Sequence, residues 1–422
     1  MNPMEREQML SLLTSAMKRA GTESSNAEQG YWYPLSLPTY GPEEVLDAVD
    51  AMASFRTSMS ERTRQFEAEF ARFNESKACT MVNSGSSADL LLSFLLTNPL
   101  KPLVPAGSEI LVPVVTWPTH AWSPMMAGLK VRFVDVNPFT LNLDLDKLEE
   151  AIGPQTRAIF VVHLMGSACD MDRVLDIARR HNMLVLEDCC EALGARWRGR
   201  SVGSFGIGGA YSFFFSHHIV TMEGGAVVVN DDELADHMRA LRAHGWVRNV
   251  TSGRFDVSSF DVDPRYAFVN WGFNLRPTEL QAAFGLRQLA RLPGFNQRRN
   301  VLAERFFRVI ARTPWIAHPQ VPTGGEPAWF ALPMVVQPGA PFNRREFVKY
   351  LEAHGVETRP LVAGNLARHP VARLFEESFR GSFPGADLLH DRGLYIGLSP
   401  VTSDQDFDRL ISIVEDFLRR FA

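Results

Sequence analysis

Between residues 78 and 187, short unbroken apolar runs alternate with segments whose apolar residues recur at helical spacing. The runs Ala78–Val82, Glu109–Val115, Lys130–Val134, Ala158–His163 and Met183–Glu187 have strand length and little polar alternation. That pattern is expected where helices cover both faces of a parallel sheet. The intervening stretches Ser84–Thr97, THAWSPMMAG and Met171–His181 read as helices. The prediction is an α/β fold with a mostly parallel central sheet and a smaller α+β domain behind it. Upstream, Met4–Ala20 reads as an amphipathic helix and Gly21–Gly30 as a polar link. The PEEV start at Pro42 and the segment QFEAEFARF suggest two more helices, with Thr63 a candidate cap near the second. Downstream, Thr278–Leu292 and Gln297–Thr313 are predicted as separate helices around a turn at Pro293–Gly294. Trp329–Val336 reads as a strand, and Asn343–His354 and Ser403–Phe421 as helices. The expected organisation is a helical arm (1–30), a large α/β domain (31–292) and a small α+β domain (293–422).

Composition removes several classes. The 422 residues are 45% hydrophobic and 22% charged, with a net charge of −5, which is ordinary globular usage. No basic field invites nucleic acid or an anionic membrane. No apolar run has the length of a bilayer span, and the first twenty residues carry charge where a signal peptide needs an apolar stretch. Cys79, Cys169, Cys189 and Cys190 read as reduced thiols, so a cytoplasmic protein is expected. Lysine is scarce, and the stretch from Leu148 to Val348 contains none.

Three local constellations carry candidate chemistry. Asn83-Ser84-Gly85-Ser86-Ser87 lies between a strand and a helix, where small residues let backbone N–H groups face an anion; a capped helix start without a ligand is the alternative. Glu187-Asp188-Cys189-Cys190-Glu191 closes a parallel strand, the end at which α/β sheets place ligands. Ser212-Phe213-Phe214-Phe215-Ser216-His217-His218 precedes Glu223-Gly224-Gly225 and an apolar strand. Adjacent residues on an extended chain point apart, so His217 and His218 are a poor zinc pair and no metal is expected. A base in one and a packed role for the other is the better reading.

In order, NSGSS, VTWPTHAW, VVHLMG, EDCCEALGA, SFFFSHH…EGG and GFNLRPTELQAAFGLRQLARL resemble the DegT/DnrJ/EryC/StrS family of sugar aminotransferases. These are fold-type I, pyridoxal phosphate (PLP)-dependent enzymes, and the likeness runs from about Tyr33 to the C-terminus. It implies that Gly85, Ser86 and Ser212 hold the cofactor phosphate and that Trp117 stacks on the pyridine. Asp188 would pair with the ring nitrogen, and Glu191 would sit by the 3-hydroxyl. Asn274 would reach the phosphate of a neighbouring subunit, implying a shared-site homodimer.

One position departs from the family. Its cofactor-linking lysine falls on His217, five residues after Ser212 and six before Glu223. Imidazole forms no Schiff base but moves protons near neutrality. The cofactor, PLP or its pyridoxamine form (PMP), is therefore expected to bind non-covalently, with His217 catalytic. A branch of the family, the nucleotide-keto-sugar 3-dehydratases, has this replacement. The NSGSSADLL loop is like its NSGSSANLL, with Asp89 for Asn, and Thr358–Pro370 is like its GGNLTRQP segment. The cysteines lack iron–sulfur spacing, which favours the cluster-free kind that uses L-glutamate. The expected activity is C3 deoxygenation of a nucleotide-linked 4-keto-6-deoxyhexose. A sugar aminotransferase and a non-catalytic PMP-binding scaffold are the alternatives. His218, Arg368 and His369 are candidate sugar or phosphate contacts, with a solvated loop the other reading of the last two. His163 reads equally as a structural or a substrate-facing histidine.

Overall fold

In the computed structural model of the chain, the five apolar runs of the first half lie together in one sheet. The structure describes residues 1–24, 30–250 and 252–421, so part of the expected link at 21–30 lies outside it. The strands are β1 (Ala78–Val82), β2 (Glu109–Pro113), β3 (Lys130–Val134), β4 (Thr156–Val162) and β5 (Leu184–Asp188). They are completed by β6 (Gly208–Ser212) and β7 (Gly225–Val229). The order is β1-β7-β6-β5-β4-β2-β3. Strands β2 to β6 pair in parallel, and β7 runs antiparallel to both of its neighbours.

Successive strand residues face opposite sides, and each side has its own apolar layer. Val112, Phe160, Leu186 and Val227 pack with Leu91, Leu92 and Leu95 of the helix Gly85–Leu96. Leu111, Ile159, Val185 and Val228 pack with Phe66 and Phe70 of Glu61–Phe73 and with Val174 and Ile177 of Met171–Arg180. Two-sided coverage explains why these strands show no polar alternation. A second sheet holds β8 (Ile316–Ala317), β9 (Ala331–Val336), β10 (Thr358–Pro360) and β11 (Gly393–Gly397), in the order β8-β9-β11-β10. With the helices Arg344–Ala353 and Asp404–Arg419 it encloses a third core around Phe347, Phe407 and Ile396.

Two expectations are corrected. The turn at Pro293–Gly294 does not form, and a single helix runs Glu279–Ile310 with Pro293 inside it. Proline deletes one helical hydrogen bond, but the apolar face continues through it. Leu289 and Leu292 enter the large-domain core, and Leu302, Phe306 and Ile310 enter the small-domain core, so packing outweighs propensity. Nor does Thr63 cap its helix, whose N-cap is Ser60. The Thr63 hydroxyl instead donates to Glu279 Oε1 at 2.6 Å, joining two helices far apart in sequence.

Glu187 sits one residue before the end of β5, is fully buried, and faces away from Asp188. Its carboxylate accepts the backbone N–H groups of Gly203, Phe205 and Gly206 at 2.7–2.8 Å, and His163 Nε2 donates to it at 3.2 Å. It therefore holds the turn that leads into β6 and sets where Ser212 emerges. Replacing Glu187 with Ala strands three backbone donors, one buried and two half-buried, together with the buried His163. The expected loss is about 3–5 kcal/mol of unfolding free energy, read by denaturant titration.

Candidate active site

The β1-to-helix turn, the ends of β5 and β6, and the loop after β6 converge. Ser84 Oγ accepts the Ser87 N–H at 3.1 Å, and Ser87 Oγ donates to Asn83 Oδ1 at 2.6 Å, so the turn is self-capped. Gly85 opens the helix against the end of β6: a Cβ there would lie 2.5 Å from Ser212 Cβ. No larger residue permits that approach. Ser86 is exposed beside it, with Oγ 3.0 Å from Thr119 Oγ1. A helix N-terminus, two serines and a glycine thus meet where an anion is favoured.

Asp188 ends β5, is 2% exposed, and accepts the Cys190 N–H at 3.3 Å. His120 Nε2 lies 3.2 Å from Asp188 Oδ2 and 3.5 Å from Asp89 Oδ2, while Nδ1 is bonded to Thr116 Oγ1. Burial disfavours charge on His120, but the Asp188 and Asp89 carboxylates outweigh it and push the imidazole up to about 9. Burial works the other way on Asp188, yet the His120 charge and hydrogen bond hold it below the usual carboxylate range. Asp89 is raised, first by burial and then by Asp188. The arrangement is a buried imidazole held between two carboxyl groups, with Asp188 the more acidic of the two. The reading of the sequence missed His120 and treated Asp89 only as a departure from a motif. The signal was the four-residue spacing Thr116–His120, which cannot announce a partner in β5.

His217 lies in the loop after β6, half-buried, its ring edge-on to Phe330 at 5.3 Å and its Nδ1 buried without a partner. Burial pushes it down to about 4, with the Asp188 charge pulling upward and Arg299 pushing further down. It is therefore a neutral imidazole with a free nitrogen, lining a cavity of about 80 Å³. His218 diverges from it, fully buried, donating through Nε2 to the Ala328 carbonyl at 2.9 Å. His163 is likewise committed to the core: its Nδ1 accepts the Cys169 N–H and its Nε2 donates to Glu187.

Glu191 accepts the Met165 N–H at 2.9 Å, and burial pushes its carboxyl up to about 7. Trp117 is 59% exposed, directly before the helix Thr119–Met126 that carries His120. Asn274 is exposed, its Oδ1 accepting from Arg276 Nε at 2.8 Å. Arg368 is exposed and paired with Asp391 at 2.7 Å, and His369 donates to the Ala363 carbonyl at 2.7 Å.

These residues fit a phosphorylated pyridine. Asp188 Oδ2 is buried and has an unfilled acceptor position despite its contact with His120, a polar wall is set for an anion, and an aromatic face is open. The His120 pair also gives a pH signature. A histidine raised in the folded state stabilises fully below its unfolded value of 6.5 and loses that contribution as pH rises through about 9. The stability difference between the wild type and His120→Gln is expected to be largest below pH 6.5 and to shrink towards pH 9, followed by denaturant titration across pH.

A model of the DegT/DnrJ/EryC1/StrS aminotransferase family matches residues 38–415. The GDP-4-keto-6-deoxy-D-mannose 3-dehydratase of Yersinia pseudotuberculosis is 36% identical over 387 residues, covering 91% of this chain and 98% of its own. The GDP-perosamine synthase of Caulobacter vibrioides is 34% identical, covering 89% of this chain and 94% of its own. A crystal structure of a GDP-4-keto-6-deoxymannose-3-dehydratase with a trapped PLP–glutamate geminal diamine matches at a TM-score of 0.84 and 33% identity, covering 90% of this chain and 99% of that one. Sugar aminotransferase structures match as well, so the α/β fold is that of the PLP-dependent sugar aminotransferases. The chain belongs to the DegT/DnrJ/EryC1/StrS aminotransferase family.

Proposed function

We propose that this enzyme removes the C3 hydroxyl of a nucleotide-linked 4-keto-6-deoxyhexose, using PLP and PMP without a covalent link and L-glutamate to regenerate PMP. The observation that carries the reading is His217, a neutral imidazole with a free ring nitrogen where the family has its lysine. Bound at the site, the cofactor supplies an electron-accepting ring and, as PMP, the amine that meets the sugar ketone. Gly85, Ser86 and Ser212 hold its phosphate, Trp117 covers one face, and Glu191 sits by the 3-hydroxyl. Asp188, backed by His120, keeps the ring nitrogen protonated. In the first half-reaction His217 moves a proton from Cα of glutamate to C4′ of the cofactor. In the second it takes a C4′ proton and hands one to the departing C3 hydroxyl, which leaves as water. Without a lysine there is no local amine to complete and release an amino sugar, which favours elimination over transamination.

A homodimer with a shared site supports Asn274 as a phosphate contact from the neighbouring protomer. Trp246, stacked on Tyr266 at 5.5 Å, and the exposed Phe260, Phe268 and Trp271 leave an aromatic surface beside Asn274 suited to burial. We place the enzyme in the cytoplasm and read it as free of iron–sulfur clusters. No described helix is long and apolar enough to cross a membrane, and the cysteines lack cluster spacing. The division at 292/293 is retained as a proposal, with the helix Glu279–Ile310 serving both parts. Arg368 and His369 are proposed as sugar or phosphate contacts, whereas His218, expected in the same role, is fully buried and bonded to the Ala328 carbonyl and is proposed instead to position the loop that carries His217.

The competing reading is a sugar aminotransferase, the activity named for the Caulobacter relative. Product mass separates the two. With PLP, L-glutamate and a panel of nucleotide 4-keto-6-deoxyhexoses, beginning with GDP-sugars, the expected product is one oxygen lighter than its substrate; an amine in place of the ketone sinks the dehydratase reading. His217→Asn is expected to bind PLP normally while turnover falls by about 10²–10⁴-fold, measured by equilibrium dialysis and product formation.

A further inference from the structure

The cavity beside His217 contains a positive charge for which the described residues supply no counter-ion. Arg299, midway along the helix Glu279–Ile310, is 3% exposed. Its guanidinium carries five N–H donors. Three carbonyls accept from it, each at a long distance: Leu398 at 3.3 Å, His218 at 3.3 Å and His217 at 3.4 Å. Among the described residues no carboxylate lies within ion-pairing reach of it. The other deeply buried arginine among the described residues, Arg242, is paired with Glu67. Burial alone pushes Arg299 down to about 9, with no anion acting against it. A buried guanidinium without an anion is costly, and that cost is relieved by a ligand that brings a negative charge.

The cavity shows what ligand fits. Arg299 and His217 line it together with Ser36, Phe330, Tyr395 and Ser399, so a ligand held there meets the guanidinium and the imidazole together. We infer that Arg299 is the subsite for the α-carboxylate of the amino donor. This rests on the reading that an α-amino acid regenerates PMP. The α-carboxylate is selected over the side-chain one by geometry: His217 acts at Cα, and the α-carboxylate is one bond from that atom. Planar N–H pairs suit a carboxylate held at two oxygens.

Donor binding then changes the base as well as filling the pocket. Arg299 is among the groups that hold His217 down, so a carboxylate on the guanidinium screens that charge and returns the imidazole towards its ordinary value. The base strengthens when a donor is present. The keto sugar has no carboxylate at its reacting end, so Arg299 binds a ligand only in the glutamate half-reaction and bears on the dehydration only through its charge near His217.

The test compares the two half-reactions. In Arg299→Gln, the dissociation constant of 2-oxoglutarate by calorimetry and the kcat/KM for L-glutamate are each expected to worsen by about 10²-fold or more. Single-turnover dehydration by the PMP-loaded enzyme should change far less, and Arg299→Lys should restore part of the loss. L-Glutamine, which keeps the α-carboxylate, should show the same dependence on Arg299; L-isoglutamine, which carries an α-amide, should show none. Equal losses in both half-reactions, or equal dependence for isoglutamine, overturn the subsite. If the variants do not fold, the wild type still decides. The His217 pKa followed by NMR should rise when 2-oxoglutarate is added, and an unchanged value overturns the proposal. A wild type inert towards every α-amino acid overturns the donor reading and the subsite together. Glutamate turnover indifferent to Arg299 overturns the subsite alone.

Discussion

Asp188 carries its negative charge where water cannot solvate it, and much of the site is arranged so that this charge persists. Burial alone would neutralise the carboxyl. His120, itself buried, offsets that tendency as an imidazolium at 3.2 Å. Asp89, against the same ring, is pushed up by its own burial and by the Asp188 charge, so of the two acids it is the weaker partner for the imidazole. Three groups from three different elements therefore share one net requirement: an ionised acid at the end of β5.

The same strand end separates two acids that are adjacent in sequence. Alternation along β5 sends Asp188 to the ligand side and Glu187 to the opposite side, where it binds the turn before β6. Adjacent histidines divide in the same manner after β6. His217 faces the cavity with a free nitrogen, and His218 donates into the backbone at Ala328. In each pair one member keeps an unfilled polar position and the other is committed to the frame around it.

Replacing lysine with histidine changes which reactions the pocket supports. A lysine would carry the cofactor and return an amine; an imidazole can only accept and give protons. The burial that keeps His217 neutral also makes it a weak base, and Arg299 weakens it further. On the proposed donor subsite, a ligand that neutralises Arg299 would act on the base at a distance, linking substrate binding to proton transfer through one buried arginine.

The strands of the large domain and the mostly parallel character of its sheet were legible in the sequence, and the loops at the strand ends could be marked as candidates, because each is encoded locally. Unbroken apolar runs mark strands covered on both faces, and a motif series marks the loops at their ends. By contrast, the helix through Pro293, the bond from Thr63 to Glu279, and the pairing of Asp89, His120 and Asp188 required the tertiary structure. They join residues tens to hundreds of positions apart, and no periodicity reports such partners. The helix shows the balance directly: the propensity of Pro293 argues for a break, whereas two separate cores each bind one half of its apolar face. Arg299 belongs with these. In sequence it is one arginine among many on a helix, and only burial without a carboxylate beside it makes its charge available to a ligand.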